Sequence, residues 1–186
     1  RFSSIDLKKF YWQITLDEAS RLCTGFHVPG LGSFVYEVMP MGIKPSCAIG
    51  QSLAEDVLRE VYDGPGPMHG KPGLGNFAIV WSDDILIFDQ DTPYHSHYVA
   101  WVLKRLKKRN IQASLPKAKF GVERIGFVGH FLDEKGLHAD PAKVKSVQSM
   151  EVPKDAAAVR RVLGMCQYLS KFIKNYAKLS APLSDL

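Results

Sequence analysis

Asp83 and Asp84 are adjacent, and they fall between two apolar, β-prone runs at 77–81 and 85–88. The gap between the runs has the length of a tight turn, so the two carboxylates are expected at the tip of a hairpin. A third carboxylate, Asp6, ends another strand-like run that begins at Phe2. Three carboxylates converging where a buried sheet ends could bind divalent cations, and a pair of such ions suits nucleotidyl transfer. Turn chemistry alone also accounts for an Asp-Asp pair, because Asp tolerates the backbone angles of turns and bonds its own backbone. The local pattern does not separate these two readings.

The elements that must position these groups follow from hydrophobic patterning. Strands are expected at 2–7 and around 11–16, then an extended hairpin near 23–38 turning through Pro29-Gly30-Leu31-Gly32, then a helix from about 45 to 61. Residues 63–75 contain five glycines and three prolines, too many to sustain a helix or strand, and read as a loop. The carboxylate hairpin follows, then a helix over about 93–109 whose Val99, Val102, Leu103 and Leu106 keep helical spacing. Short strands are expected around 111–115, 120–122, 124–132 and 136–139, and Pro141 opens a helical tail. In that tail Val159, Val162, Leu163, Cys166, Leu169 and Ile173 form one stripe, with Arg160, Arg161, Lys171 and Lys174 off it. Pro153 and Asp155 mark the start of its main helix. Mixed helices and strands are the class implied.

With 186 residues, 46% hydrophobic and 23% charged, the chain can build one substantial core, or a main domain with a small satellite. No apolar run of membrane-spanning length and no leader pattern is present, so an intracellular protein without membrane association is expected. Cys23, Cys47 and Cys166 show no paired spacing, which argues against disulfides and structural zinc and suggests buried small groups. His95 and His97 lack further ligands nearby and read as a solvated helix start. Charge is segregated: residues 1–103 carry 7 Lys+Arg against 12 Asp+Glu, whereas residues 104–186 carry 17 against 7. A basic half beside clustered carboxylates is what phosphate backbones and a cation-binding reaction centre require. The run at 104–109 is equally compatible with a solvated helix face.

Longer blocks carry more information. Asp6-Leu-Lys-Lys-Phe-Tyr11-Trp-Gln13 is followed by Met39-Pro-Met41-Gly42-Ile-Lys44 and Gln51, then by Trp81-Ser82-Asp83-Asp84, then by Phe127-Val128-Gly129-His130, and last by Leu163-Gly164-Met-Cys-Gln-Tyr168. In this order the chain closely resembles, end to end, the reverse transcriptases of long-terminal-repeat retrotransposons of the Ty3/gypsy group. The resemblance implies an α+β fold: a palm-type antiparallel sheet backed by helices, with a C-terminal helical thumb segment. Residues 1–139 would be palm with partial fingers at about 14–45, and 140–186 the start of the thumb or connection. In that family a first fingers block precedes the strand bearing the first aspartate, and it is expected to be missing here. On this resemblance the loop at 63–75 is about ten residues longer than the family's usual link, connections normally being short.

Roles follow from the resemblance residue by residue. Asp6, Asp83 and Asp84 would be the catalytic carboxylates holding two Mg²⁺ ions, with Mn²⁺ a possible substitute. Tyr11 would lie against the nucleotide sugar and exclude a 2′-hydroxyl; Met41 and Gly42 would contact the new base pair. Lys44 would reach template phosphates, and Trp81 and Ser82 would meet the primer end. Phe127, Val128, Gly129 and His130 would form the primer grip, and Gly164 and Tyr168 would face the duplex minor groove. Bland alternatives accompany these assignments: Tyr11 as a core aromatic, a strand pair with a glycine bulge at Gly129, and helix packing through Gly164.

The sequence departs from the family at two places. After Lys44 the usual Asn-Ala-Pro-Ala-Thr-Phe-Gln is replaced by Pro45-Ser46-Cys47-Ala48-Ile49-Gly50-Gln51, so the aromatic is lost. At the hairpin, Trp81 and Ser82 stand where the family has Tyr and an apolar residue. The implied activity is RNA-directed DNA polymerisation within a larger polyprotein, on a primed RNA or DNA template with deoxynucleoside triphosphates. Cytoplasm, retrotransposon particles or nucleus are the expected places. A catalytically silent fragment that binds nucleic acid or protein is the alternative, and an RNA polymerase or nucleotide cyclase of the palm type is disfavoured by the Tyr11 and His130 blocks.

Overall fold

A computed structural model describes residues 1–90 and 92–184. The chain divides into two compact units, Arg1–Glu123 and Arg124–Leu186.

In the first unit, β1 (Phe2–Asp6), β4 (Ala78–Trp81), β5 (Asp84–Phe88) and β6 (Lys119–Val122) form an antiparallel sheet in the order β4-β5-β1-β6. The short hairpin of β2 (Phe26–Val28) and β3 (Gly32–Phe34) is a separate sheet, and the helices of this unit are α1 (Glu18–Leu22), α2 (Ser46–Arg59) and α3 (Thr92–Lys108). β1 runs in unbroken register against β5, from Phe2 opposite Phe88 to Asp6 opposite Asp84. Burial fixes this register, because a one-residue slip would turn Ile5 to the wrong face. Ile5, Ala78, Val80, Ile85 and Ile87 pack against Val57 and Leu58 of α2 and Tyr98, Trp101, Val102 and Leu106 of α3. Burying each large side chain contributes about 1.5–3 kcal/mol before entropy is counted.

The loop at 63–75 is held down by aromatic packing. Tyr62 lies edge-on to Phe77, Tyr98 and Trp101, and its hydroxyl donates to the carbonyl of Pro65. A Cβ at Gly73 would come 2.7 Å from the Trp101 ring, so only glycine allows the backbone this close. Glu60, just past α2, pairs with Arg105, Lys108 and Arg109. Much of the basic run at 104–109 is therefore engaged with this carboxylate.

Several local expectations are corrected. Residues 11–16 do not form a strand: Lys9 turns the chain at φ 47° and Phe10–Gln13 close a 3-10 turn. Gln13 then bonds the backbone of Lys8 and Gln112, supplying by side chain what a strand partner would have supplied. The stretch 111–115 keeps only the bridge between Leu7 and Ala113 before Pro116, which lacks a donor, enters a second 3-10 turn, Leu115–Lys117. Helix α1 was not foreseen, although Asp17 caps it by accepting from the Ser20 amide at 2.7 Å; five residues are too few to show a period. His95 is buried rather than solvated and shares a 2.7 Å hydrogen bond with the buried Ser3 hydroxyl. Cys23 and Cys47 are exposed, not buried.

In the second unit β7 (Ile125–Phe127), β8 (His130–Asp133) and β9 (Gly136–Ala139) form an antiparallel meander. The single strand expected over 124–132 is broken by a two-residue turn with positive φ at both Val128 (49°) and Gly129 (70°), the geometry of tight hairpins. Three helices follow: α4 (Pro141–Gln148), α5 (Ala156–Tyr168) and α6 (Tyr176–Ser184). Asp140 and Asp155 accept from the amides of Ala142 and Ala158 at the starts of α4 and α5, each cap contributing about 1 kcal/mol. Among the described residues no helix is long and apolar enough to cross a membrane.

Candidate active site

Strand register brings the three carboxylates to one end of the sheet. Asp6 ends β1 directly opposite Asp84, the first residue of β5, and Asp83 occupies the turn before it. The Leu7 amide donates to the Asp83 carbonyl at 2.7 Å, pinning the hairpin tip to the end of β1. The turn is two residues long, Ser82 and Asp83, with Ser82 at φ 57°. Burial, then the charges of Asp83 and Asp6, push the Asp84 carboxyl above the usual aspartate value, and Lys117 opposes them.

Lys117 was not picked out in the sequence. Its Nζ lies 3.1 Å from Asp6 Oδ2, carried there by the 3-10 turn whose preceding residue, Ser114, donates its amide to the Asp6 carbonyl at 2.7 Å. Only the long-range pairing reveals it. Among the described residues no three Asp, Glu, His or Cys side chains are placed to hold a metal ion together. That is compatible with Mg²⁺, which commonly takes one or two carboxylates and completes its octahedron with phosphate and water oxygens. The donors here are all hard oxygens, and Asp6 already draws a cation to itself. These residues fit a divalent ion.

Gln51 of α2 clamps the same tip. Its Oε1 accepts from the Ser82 amide at 2.8 Å and its Nε2 donates to the Val80 carbonyl at 3.1 Å, so the helix fixes the height of the turn above the sheet. The aromatic run beside Asp6 splits by role: Phe10 joins the core, Trp12 is exposed, and Tyr11 is half-buried at the site. The Tyr11 hydroxyl lies 3.0 Å from Ser82 Oγ and 3.8 Å from Cys47 Sγ. The Ser82 hydrogen bond favours its phenolate, but burial, Cys47 and the Asp83 charge outweigh it and keep the Tyr11 pKa above the ordinary value.

Met41, Gly42 and Lys44 lie on an exposed loop ahead of α2, with Gly42 at φ 91° and the Met41 side chain largely exposed. With the altered sequence there, α2 begins after Pro45 without a side-chain cap, and the Ser46 hydroxyl donates to the Ile43 carbonyl at 2.6 Å. Trp81 projects from the open face of β4.

The remaining sequence-singled residues belong to the second unit and gather among themselves. Phe127 and His130 flank the Val128-Gly129 turn. The Tyr168 hydroxyl donates to the Val128 carbonyl at 3.1 Å, and its ring stacks on His130 at 5.1 Å between centroids. Burial, then the Lys171 charge, hold the His130 imidazole below its usual pKa. Gly164 is exposed on α5, four residues before Tyr168, with open space over it.

Residues 1–151 match the family profile described as reverse transcriptase (RNA-dependent DNA polymerase). The chain is 32% identical over 185 residues to the retrovirus-related Pol polyproteins from transposons opus and gypsy of Drosophila melanogaster. It is 29% identical to the transposon Tf2-3 polyprotein of Schizosaccharomyces pombe. All three alignments cover 100% of this chain, but it spans only 17%, 17% and 13% of those polyproteins. Among solved structures it superposes on a foamy viral protease-reverse transcriptase in complex with double-stranded DNA, with TM-score 0.83 and 22% identity, covering all of this chain and 30% of that one. The same foamy viral protein in complex with an RNA/DNA hybrid gives TM-score 0.81 and 22% identity, covering all of this chain and 23% of that one. These likenesses establish an α+β polymerase fold.

Proposed function

The chain belongs to the reverse transcriptase (RNA-dependent DNA polymerase) family, among relatives of the Ty3/gypsy type, and on that premise we propose that it carries the nucleotidyl-transfer centre of a retrotransposon polyprotein. The observation that carries this reading is the β1–β5 register, which sets Asp6 opposite Asp84 with Asp83 in the adjoining turn. Two bound Mg²⁺ ions would lower the pKa of a primer 3′-hydroxyl and neutralise the departing pyrophosphate. Asp6 and Asp83 would hold them, and Asp84 would be the third, more peripheral carboxylate. Lys117 balances the Asp6 charge, and its exposed ammonium would be available to phosphate oxygens of a bound substrate. Tyr11 would form the wall against a ribose 2′-hydroxyl, which favours deoxynucleoside triphosphates. Met41, Gly42 and Lys44 would meet the template strand and the new pair, and Trp81 and Ser82 the primer terminus.

The second unit would serve the same duplex. Phe127, Val128, Gly129 and His130 would hold the primer strand as a palm element, and α5 would present Gly164 and Tyr168 to the minor groove as the start of the thumb. Contacts of this kind depend on shape and phosphate charge, so binding should be largely independent of sequence and weaken steeply with salt.

Binding without catalysis is the second reading, and the Lys117–Asp6 ion pair favours it, since a cation of the chain's own already satisfies one carboxylate. The two readings part on metal binding. With primer-template and a deoxynucleotide present, Mn²⁺ should broaden the NMR signals of residues around Asp6, Asp83 and Asp84 in the wild type and much less in Asp83→Asn. Equal broadening in both would count against the site.

A further inference from the structure

Two departures from the family pattern converge on one ring. Gly50, where the family has an aromatic residue, lies directly beneath Tyr11: a Cβ there would come 2.9 Å from Tyr11 Cε1 and 3.2 Å from Phe10 Cε1. A side chain of any size at position 50 would have to displace the ring. Ser82, where the family has an apolar residue, places its hydroxyl 3.0 Å from the Tyr11 oxygen. Both changes bear on the same ring. The first provides room under it, and the second supplies a polar partner at its far end.

Ser82 can act as a fixed anchor because its own backbone is fixed. Gln51 Oε1 accepts from the Ser82 amide at 2.8 Å and Gln51 Nε2 donates to the Val80 carbonyl at 3.1 Å, so α2 grips the hairpin on both sides of Trp81. The positive φ of Ser82 directs its side chain away from the extended course of β4. Tyr11 reaches it from the 3-10 turn after β1. Its hydroxyl donates towards Cys47 Sγ at 3.8 Å, a long contact to a weak acceptor, and has a lone pair to take the Ser82 proton. Hydroxyl, ring and hairpin tip thus form one assembly.

We propose that Gly50 and Ser82 are a matched pair that seats and latches the Tyr11 ring, making Ser82 a positioning residue for nucleotide sugar selection. The inference rests on the reading of Tyr11 as the wall against a ribose 2′-hydroxyl. A wall selects in proportion to how firmly it is held. A ring free to swing yields to the extra oxygen, whereas a ring backed by α2 and tied at its hydroxyl does not. Ser82 bears on sugar selection without touching the nucleotide in this scheme. It acts through Tyr11.

The test is the ratio of kcat/KM for a deoxynucleotide over its ribonucleotide in wild type, Ser82→Ala, Tyr11→Phe and the double variant, with Tyr11→Ala as control for the wall. The two single substitutions each remove one half of the same hydrogen bond, so each should lower the ratio by about fivefold, the effect of one hydrogen bond, and the double variant should lose no more than either alone. Losses that multiply in the double variant, or single variants that keep the wild-type ratio while Tyr11→Ala collapses it, overturn the latch and leave the wall standing. An unchanged ratio in Tyr11→Ala overturns the wall itself. The free chain gives a readout that needs no turnover. In NMR spectra of ring-labelled tyrosine, the Tyr11 resonances should shift in both Ser82→Ala and Gly50→Ala, and a Tyr11 signal indifferent to both contradicts the seat.

Discussion

Lys117 Nζ sits 3.1 Å from Asp6 Oδ2 across 111 residues of sequence. The pair places a cation of the chain's own at the first of the three aspartates. Lys117 is mostly exposed whereas Asp6 is only 19% exposed, so the ammonium can leave at little cost while the carboxylate stays.

Replacing Lys117 with Met should therefore do two opposite things. Without metal, thermal stability should fall modestly, by no more than about 1 kcal/mol for so exposed a partner. With Mg²⁺ the stabilisation should exceed that of the wild type, because the ion no longer competes with an internal cation. Thermal melts with and without Mg²⁺ check both signs. An equal Mg²⁺ effect in the two proteins would show that Lys117 and the metal do not share Asp6.

The raised pKa of Asp84 predicts a pH dependence with a definite sign. A carboxyl whose folded pKa exceeds its unfolded value holds its proton more tightly in the folded state, so its contribution to stability is lost as pH rises from the unfolded value, about 3.9, through the raised one. Metal-free chain should lose part of its stability over that window, and Asp84→Asn should lose less. Urea titrations across the window measure it. A wild-type profile that rises there as fast as that of Asp84→Asn would contradict the crowding of Asp84 by Asp83 and Asp6.

Tyr168 bears on the second unit in the same way. Val128 is held at φ 49°, an uncommon conformation for a β-branched residue, and the Tyr168 hydroxyl bonds its carbonyl. Tyr168→Phe keeps the ring that stacks on His130 and removes only that bond. It should cost about 1 kcal/mol and accelerate amide exchange at Gly129 and His130. Unchanged exchange there would mean that the turn is stable without the helix.

Much of the frame was legible in the sequence because it rests on local rules. The carboxylate hairpin announced itself by two β-prone runs separated by a gap of tight-turn length, and α5 by its apolar stripe and Asp155 cap. What failed were short elements whose shape is decided from afar. Gln13 reaches Gln112 by side chain and so removes the need for a strand at 11–16, and nothing near residue 13 signals it. His95 looked solvated because its partner, Ser3, is 92 residues away. The three aspartates were singled out as candidates from their types and order, yet Lys117 and the clamping contacts of Gln51 were not, since both depend on which segments lie side by side. The seat of Tyr11 was hidden for the same reason: Gly50 and Ser82 read as two unrelated departures until the fold brought them to one ring.

Primer extension on an RNA template with Mg²⁺ or Mn²⁺, comparing this chain with Asp83→Asn, tests the central claim most directly. The account predicts deoxynucleotide incorporation by the wild type that disappears in Asp83→Asn, with the variant still folded and still binding duplex in a salt-sensitive manner. Metal-dependent extension retained in Asp83→Asn would contradict the assignment of the site.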